Sequence, residues 1–179
     1  MAGAARVRLI DQRIMDECRR MHPDWPHDEI RQLALRRIDS DTGWQSNTIT
    51  DYTRRSIANG NALGASIRIF IHKSTTPAST FVNTLTNAYS SQSPDQVRTP
   101  DTTTLDASTL VQTRTVQYPV PAVARNINIV GLTFTTATET DGRYVSGIVA
   151  YTLLSSMVSQ STSQTADVQY RVTFSLDGA

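Results

Sequence analysis

The chain has 179 residues, a formal net charge of +1 and a single cysteine. That length suits one domain, or one domain with an appendage, and the balanced charge gives no global attraction to nucleic acid or to an anionic membrane. The lone Cys18 excludes an internal disulfide and a cysteine-built zinc site, and no apolar run reaches the ~20 residues that span a bilayer.

The first predicted element is a helix from about Ala4 to Met21, because Val7, Ile10, Ile14, Cys18 and Met21 fall three and four residues apart. Cys18 lies on that stripe and reads as core packing. The opening Met1–Arg6 lacks the apolar centre of a signal peptide, so synthesis in a reducing cytoplasm is expected. Pro23 closes the helix. A second one starts near Asp24 or Trp25, with Pro26, Asp28 and Glu29 in its first turn and Ile30, Leu33, Ala34 and Ile38 on its buried side. Asp39–Gly43 is a turn, and a third helix is predicted from Ser46 to Asn59.

Near residue 60 the sequence changes character. Up to Ser56 it holds ten Arg against nine acids; the much longer remainder holds seven bases against seven acids and is dominated by Thr and Ser. Ile67, Ile69 and Ile71 alternate with Arg68, Phe70 and His72, which predicts a half-buried strand with His72 on its polar face. Ser74–Ser108 reads as a long polar loop whose apolar anchors are Phe81, Val82 and Leu85.

Strand character returns at Leu110–Tyr118 and Arg125–Thr136, where a change of phase beside Gly131 predicts a bulge. Tyr144–Met157 is apolar on both faces and belongs inside a sheet. The closing run should bury Tyr170, Val172 and Phe174 and leave Gln169 and Arg171 outward. The fold class is therefore α+β: a helical docking segment over 1–60 and a mainly antiparallel β-sandwich over 61–179, with the polar loop at about 74–108.

The motifs point away from chemistry. Asp41-Thr42-Gly43 matches an aspartic-protease tripeptide, but it follows an Arg-rich helix and has no second copy to share a proton, so it reads as a turn. His22 and His27, with Asp24 or Asp28, match no zinc spacing. No phosphate-binding Gly-rich loop or nucleophile elbow is present. The expectation is a non-enzyme with no catalytic residue, metal or cofactor. Trp25 and Trp44 sit in turns, where they either cap the helical core or anchor it to another surface. Together with Phe81, Val82 and Leu85 they are the candidate interface residues.

Two stretches resemble virion structural proteins of tailed bacteriophages: Tyr118-Pro119-Val120-Pro121 onward to Arg125–Leu132, and the closing Gln164–Phe174. The resemblance implies a Thr- and Ser-rich sandwich that assembles into rings or shells. It implies a homo-oligomer made in the bacterial host cytoplasm and placed in the virion. The partners would be coat, portal or tail subunits, and the role capsid decoration or a neck or tail ring. Neither DNA nor membrane is expected as a partner. The alternative is a DNA-binding regulator or packaging factor, whose helix-turn-helix-like front would turn Ser46, Asn47, Thr48, Thr50, Arg54 and Arg55 toward DNA, with a β domain for dimerisation.

Overall fold

Residues 2–11 are a strand, not the start of a helix. The computed structural model describes residues 2–49, 67–73, 85–86, 97–133, 144–145 and 148–173. Within it β1 (Ala2–Asp11) pairs along its whole length with the last strand, β13 (Gln164–Thr173), from Ala2 opposite Thr173 to Asp11 opposite Gln164. The helical stripe through Val7 and Ile10 coexists with a second pattern, Ala5, Val7 and Leu9 alternating with Arg6 and Arg8. The ladder to β13 selects that second pattern and buries all three apolar residues.

The helix begins where the ladder ends. Asp11 caps it, accepting a hydrogen bond from the Arg13 amide at 2.8 Å, and α1 runs Gln12–Met21. The second helix, α2 (His27–Ala34), starts after Pro26 and runs into a 3-10 turn, Leu35–Arg37. Ile10, Met15, Cys18, Ile30 and Ala34 form a core of their own between the helices and β1. Cys18 is buried in it, and so are Ile30 and Ala34 from the expected α2 stripe.

The predicted third helix is corrected over its first residues. β2 (Ser40–Asp41) and β3 (Gln45–Ser46) pair with β1, whereas β4 (Thr48–Ile49) pairs with another sheet, so the chain crosses between sheets at Asn47. Residues 50–59 of that prediction lie outside the described residues. The rest of the chain supplies β5 (Arg68–His72), β6 (Leu85–Thr86), β7 (Val97–Arg98), β8 (Thr102–Asp106), β9 (Val111–Tyr118), β10 (Arg125–Thr133), β11 (Tyr144–Val145) and β12 (Ile148–Gln160). Three of these strands, β6, β7 and β8, begin within 74–108, the stretch read as a polar loop.

Among the described residues there are two main antiparallel sheets and one small pair. One sheet runs β2–β1–β13–β9–β8, with β3 also on β1; the other runs β4–β12–β10–β5–β7; β6 pairs with β11. One hydrophobic cluster draws Val7, Val116, Val168 and Tyr170 from the first sheet and Ile69, Ile71, Val130 and Leu132 from the second. Burial of such side chains, at about 1.5–3 kcal/mol each, is what holds the two faces together. Polar links cross the same interior: the Tyr118 hydroxyl donates to the Ile69 carbonyl at 2.8 Å.

The β5 strand is not half-buried. Phe70 and His72 are as fully buried as Ile69 and Ile71, because Phe70 joins Ile129, Ile148 and Tyr151 in a cluster on the opposite face of the sheet. Gly131 allows this packing. A Cβ there would run into the Phe70 ring and come within 2.6 Å of the Ala150 carbonyl oxygen. The register shifts of β10 against β12 flank that glycine, between Ile127 and Ile129 and between Leu132 and Thr133. β12 itself is less buried than its composition suggests: Leu153 and Met157 are exposed, beside a stretch pinned by the Gln45 side chain at the Ser155 amide, 2.7 Å. On β13, Tyr170 and Val172 are buried and Arg171 is exposed; Phe174 lies outside the described residues.

Candidate functional site

Asp167 stands in the middle of β13, opposite Arg8, on the sheet face turned away from the main core. α2 brings Arg31 to the same carboxylate. Arg31 Nε lies 2.8 Å from Asp167 Oδ1, and Arg8 approaches Oδ2 through Nη2 at 2.5 Å and Nε at 3.1 Å. Asp167 is fully buried and Arg31 is 3% exposed, and the exposed Asp28 lies 3.5 Å from the other side of the Arg31 guanidinium. A buried carboxylate shared by two arginines gains little net stability over apolar packing, but removing one member leaves an uncompensated charge. Its effect here is positional: it fixes α2 on the sheet.

That fixed corner displays the exposed aromatic and apolar groups of the helical segment. His22 stacks on Trp25, with ring centroids 3.8 Å apart, and Trp25 and Met21 are exposed. Beside Trp25, the outer face of α2 lines a cleft of about 330 Å³ with Asp28, Leu33 and Arg36. A larger groove, about 480 Å³, runs between α1 and the end of β9, past Met15, Arg19, His27 and Pro119. His27 turns into that groove, its Nε2 2.9 Å from Gln117 Oε1 and its Nδ1 3.4 Å from Arg19. His22 and His27 therefore serve different neighbours, and among the described residues no group of three His, Cys, Asp or Glu could hold a metal ion.

The other candidate interface residues have separate fates. Trp44 is half-buried under the Arg171 guanidinium, which lies 3.8 Å above its ring, so its face is occupied by its own β13. Leu85 opens β6, in register with Val145. Phe81 and Val82 lie outside the described residues. Of the residues assigned to a DNA-reading helix, Ser46 and Thr48 are in strands, and Asn47 donates to the Tyr170 hydroxyl at 2.9 Å; Thr50, Arg54 and Arg55 are outside the described residues.

Two buried titratable groups were not legible as such. His72, assigned to a polar face, is buried, and desolvation, with Lys73 adding to it, pulls its imidazole down to about 4. Arg114 is 5% exposed and, among the described residues, reaches only neutral acceptors, Gln112 Oε1 at 3.0 Å and the Ile67 carbonyl at 3.3 Å; burial lowers its pKa. Beside it Ile49, Leu132 and Val172 line a cavity of about 20 Å³, room for one water.

The remaining surface feature is the hairpin of β8 and β9. Asp106 closes its turn, accepting from the Ser108 amide at 2.9 Å, the Ser108 hydroxyl at 2.6 Å and the Thr109 amide at 3.3 Å. These bonds hold its carboxyl down at about 2. Leu110 completes the turn in the left-handed region, φ 52°. Among the described residues β8 pairs only with β9. The sequence signal for this hairpin was a Thr-rich run ahead of Asp-x-Ser and a second β-branched run; its polarity hid it inside the loop reading. No protein-family model matches the chain, and no curated protein is detectably similar to it in sequence.

Proposed function

We propose that the chain is a non-enzymatic virion structural protein of a tailed phage that acts by docking to other subunits, as a capsid decoration or as part of a neck or tail ring. In this reading the two main sheets close as a β-sandwich, and the helical pair near the start of the chain is the docking element. The observation that supports it most is the use made of buried charge. Arg8, Asp167 and Arg31 lock α2 to the sheet, so Met21 and Trp25 are presented on a rigid corner. Exposed aromatic anchors on rigid elements are what a recurrent protein contact requires. No helix among the described residues is long and apolar enough to cross a membrane.

Mass spectrometry of purified particles tests the reading. The protein should be present, in hundreds of copies for a shell role or in about a dozen or fewer for a ring; absence from particles overturns it. A titration with DNA near physiological salt should give no sequence-specific complex, and a salt-resistant specific complex would put the DNA-binding regulator in its place.

A further inference from the structure

We propose that β8 is a homodimerisation edge: two copies of the chain pair their β8 strands antiparallel, about a two-fold axis through Leu105, and join their β8-edged sheets into one. This rests on the docking reading above and names the partner as a second copy of the same chain.

The first support is the open edge. Among the described residues β8 is bonded to β9 on one side only, and residues 103–106 are all exposed. Alternate N–H and C=O groups on its outer side therefore have no partner among the described residues. Natural sheets blunt such an edge with Lys or Pro, a bulge, an inward charge or a very short strand. β8 holds no proline and a single charge, Asp106 at its last position, and its register to β9 is unbroken from Thr102 opposite Thr115 to Asp106 opposite Val111.

The second support is Leu105 itself. It lies opposite Gln112, on the same face of the sheet as Arg114, Val116 and Tyr118, the face that carries the core. Yet it is 59% exposed. An apolar side chain on the core-bearing side of a free edge lacks a neighbour on the missing strand.

Self-complementarity identifies that strand. Pairing Leu105 with Leu105 of a second copy sets Thr104 against Asp106 and Thr103 against Ala107. The two leucines cover each other, and the strand's only charge meets a neutral hydroxyl. Centring the axis on Asp106 would oppose like charges, which destabilises a pair. Centring it on Thr103 would set Leu105 against Asp101, and on Thr104 would leave each leucine against a threonine. The Leu105 register alone satisfies both the apolar and the charged groups.

Sedimentation of the purified full-length chain reads the outcome. The wild type should dimerise by ~100 μM, and Leu105→Asp and Leu105→Lys should each weaken the dimer by at least about tenfold. Mixed in equal amounts, the two variants should pair again, since opposite charges then meet across the axis. Leu105→Cys should cross-link to itself on oxidation, because directly opposed Cα atoms lie about 4.5–5.5 Å apart, within disulfide reach. Thr103→Cys, four positions from its symmetry mate, should not. A wild type that stays monomeric at that concentration, variants that dimerise as well as wild type, or equal cross-linking of both cysteines would each overturn the pairing. A chain found in particles but monomeric would sink the pairing and leave the docking reading standing. A Leu105 dimer in a chain absent from particles would do the reverse.

Discussion

The two edges of the β8-bearing sheet are built from opposite materials. On the β1 side the strand is covered by β2 and β3: the carbonyls of Gly3, Val7 and Leu9 accept from the amides of Asn47, Thr42 and Asp39 at 3.0, 3.0 and 2.9 Å, and the Val7 amide donates to Thr42 Oγ1 at 3.0 Å. Arg6 pairs with Asp41, whose carboxyl that hydrogen bond holds below its usual range, and Arg8 reaches inward to Asp167. At the β8 edge a run of threonines and one exposed leucine has no such cover among the described residues. Among the described residues the two sides of the sheet are thus finished in opposite ways, and the proposed β8 pairing is the reading under test.

The largest test of the comparison is on the closed side. Asp167→Ala strands Arg8 and Arg31 against the sheet and should cost about 3–5 kcal/mol in a denaturant melt. Replacing all three members together, by Arg8→Met, Asp167→Leu and Arg31→Met, should recover that stability, the signature of a latch selected for placement and not for energy. Gly131→Ala is an interior control away from either edge. Its Cβ meets the Phe70 ring and the Ala150 carbonyl, so it should lose about 1–3 kcal/mol through overpacking.

His72 gives a pH test of the buried interior. Its folded pKa, about 4, lies below the ordinary 6.5, so between those values the unfolded chain binds the extra proton. Stability is therefore full above 6.5 and is lost progressively as pH falls toward 4. His72→Phe should flatten that window, and an unchanged slope would show that the loss comes from other groups. Thr42→Ala removes the acceptor that closes the Val7 amide and should cost about 1 kcal/mol. At the open edge the effect on the monomer should be smallest: Leu105→Asp should leave the melting of the monomer within about 0.5 kcal/mol of wild type. A large loss there would mean that Leu105 is packed within its own chain.

Where the sequence was legible, one face of one element decided the outcome. The stripe of Ile30, Leu33 and Ala34 predicted α2, and the alternation on the last strand predicted buried Tyr170 and Val172 with Arg171 outward. Where it was not, two local patterns competed. Val7 and Ile10 satisfy a helical stripe, while Ala5, Val7 and Leu9 satisfy a strand, and Asp11 was visible as a cap only once the strand before it was known. The polar run before β9 misled for a related reason, since an edge strand with both faces exposed has no buried side to write into its composition.

By itself, then, the sequence determined the local things: a β-rich chain, the helix that became α2, the inward register of Tyr170 and Val172 on β13, and a buried place for Cys18. Tertiary structure decided which strands found partners. It made residues 2–11 a strand by pairing them with the far end of the chain, and it buried His72 by covering both faces of β5. It also brought Arg31 onto Asp167 across 136 positions and, among the described residues, left β8 paired on one side. The physical reason is that side-chain period is written in neighbours along the chain. Burial of a second face, ion-pair partners and the occupancy of an edge are set by segments that meet only on folding.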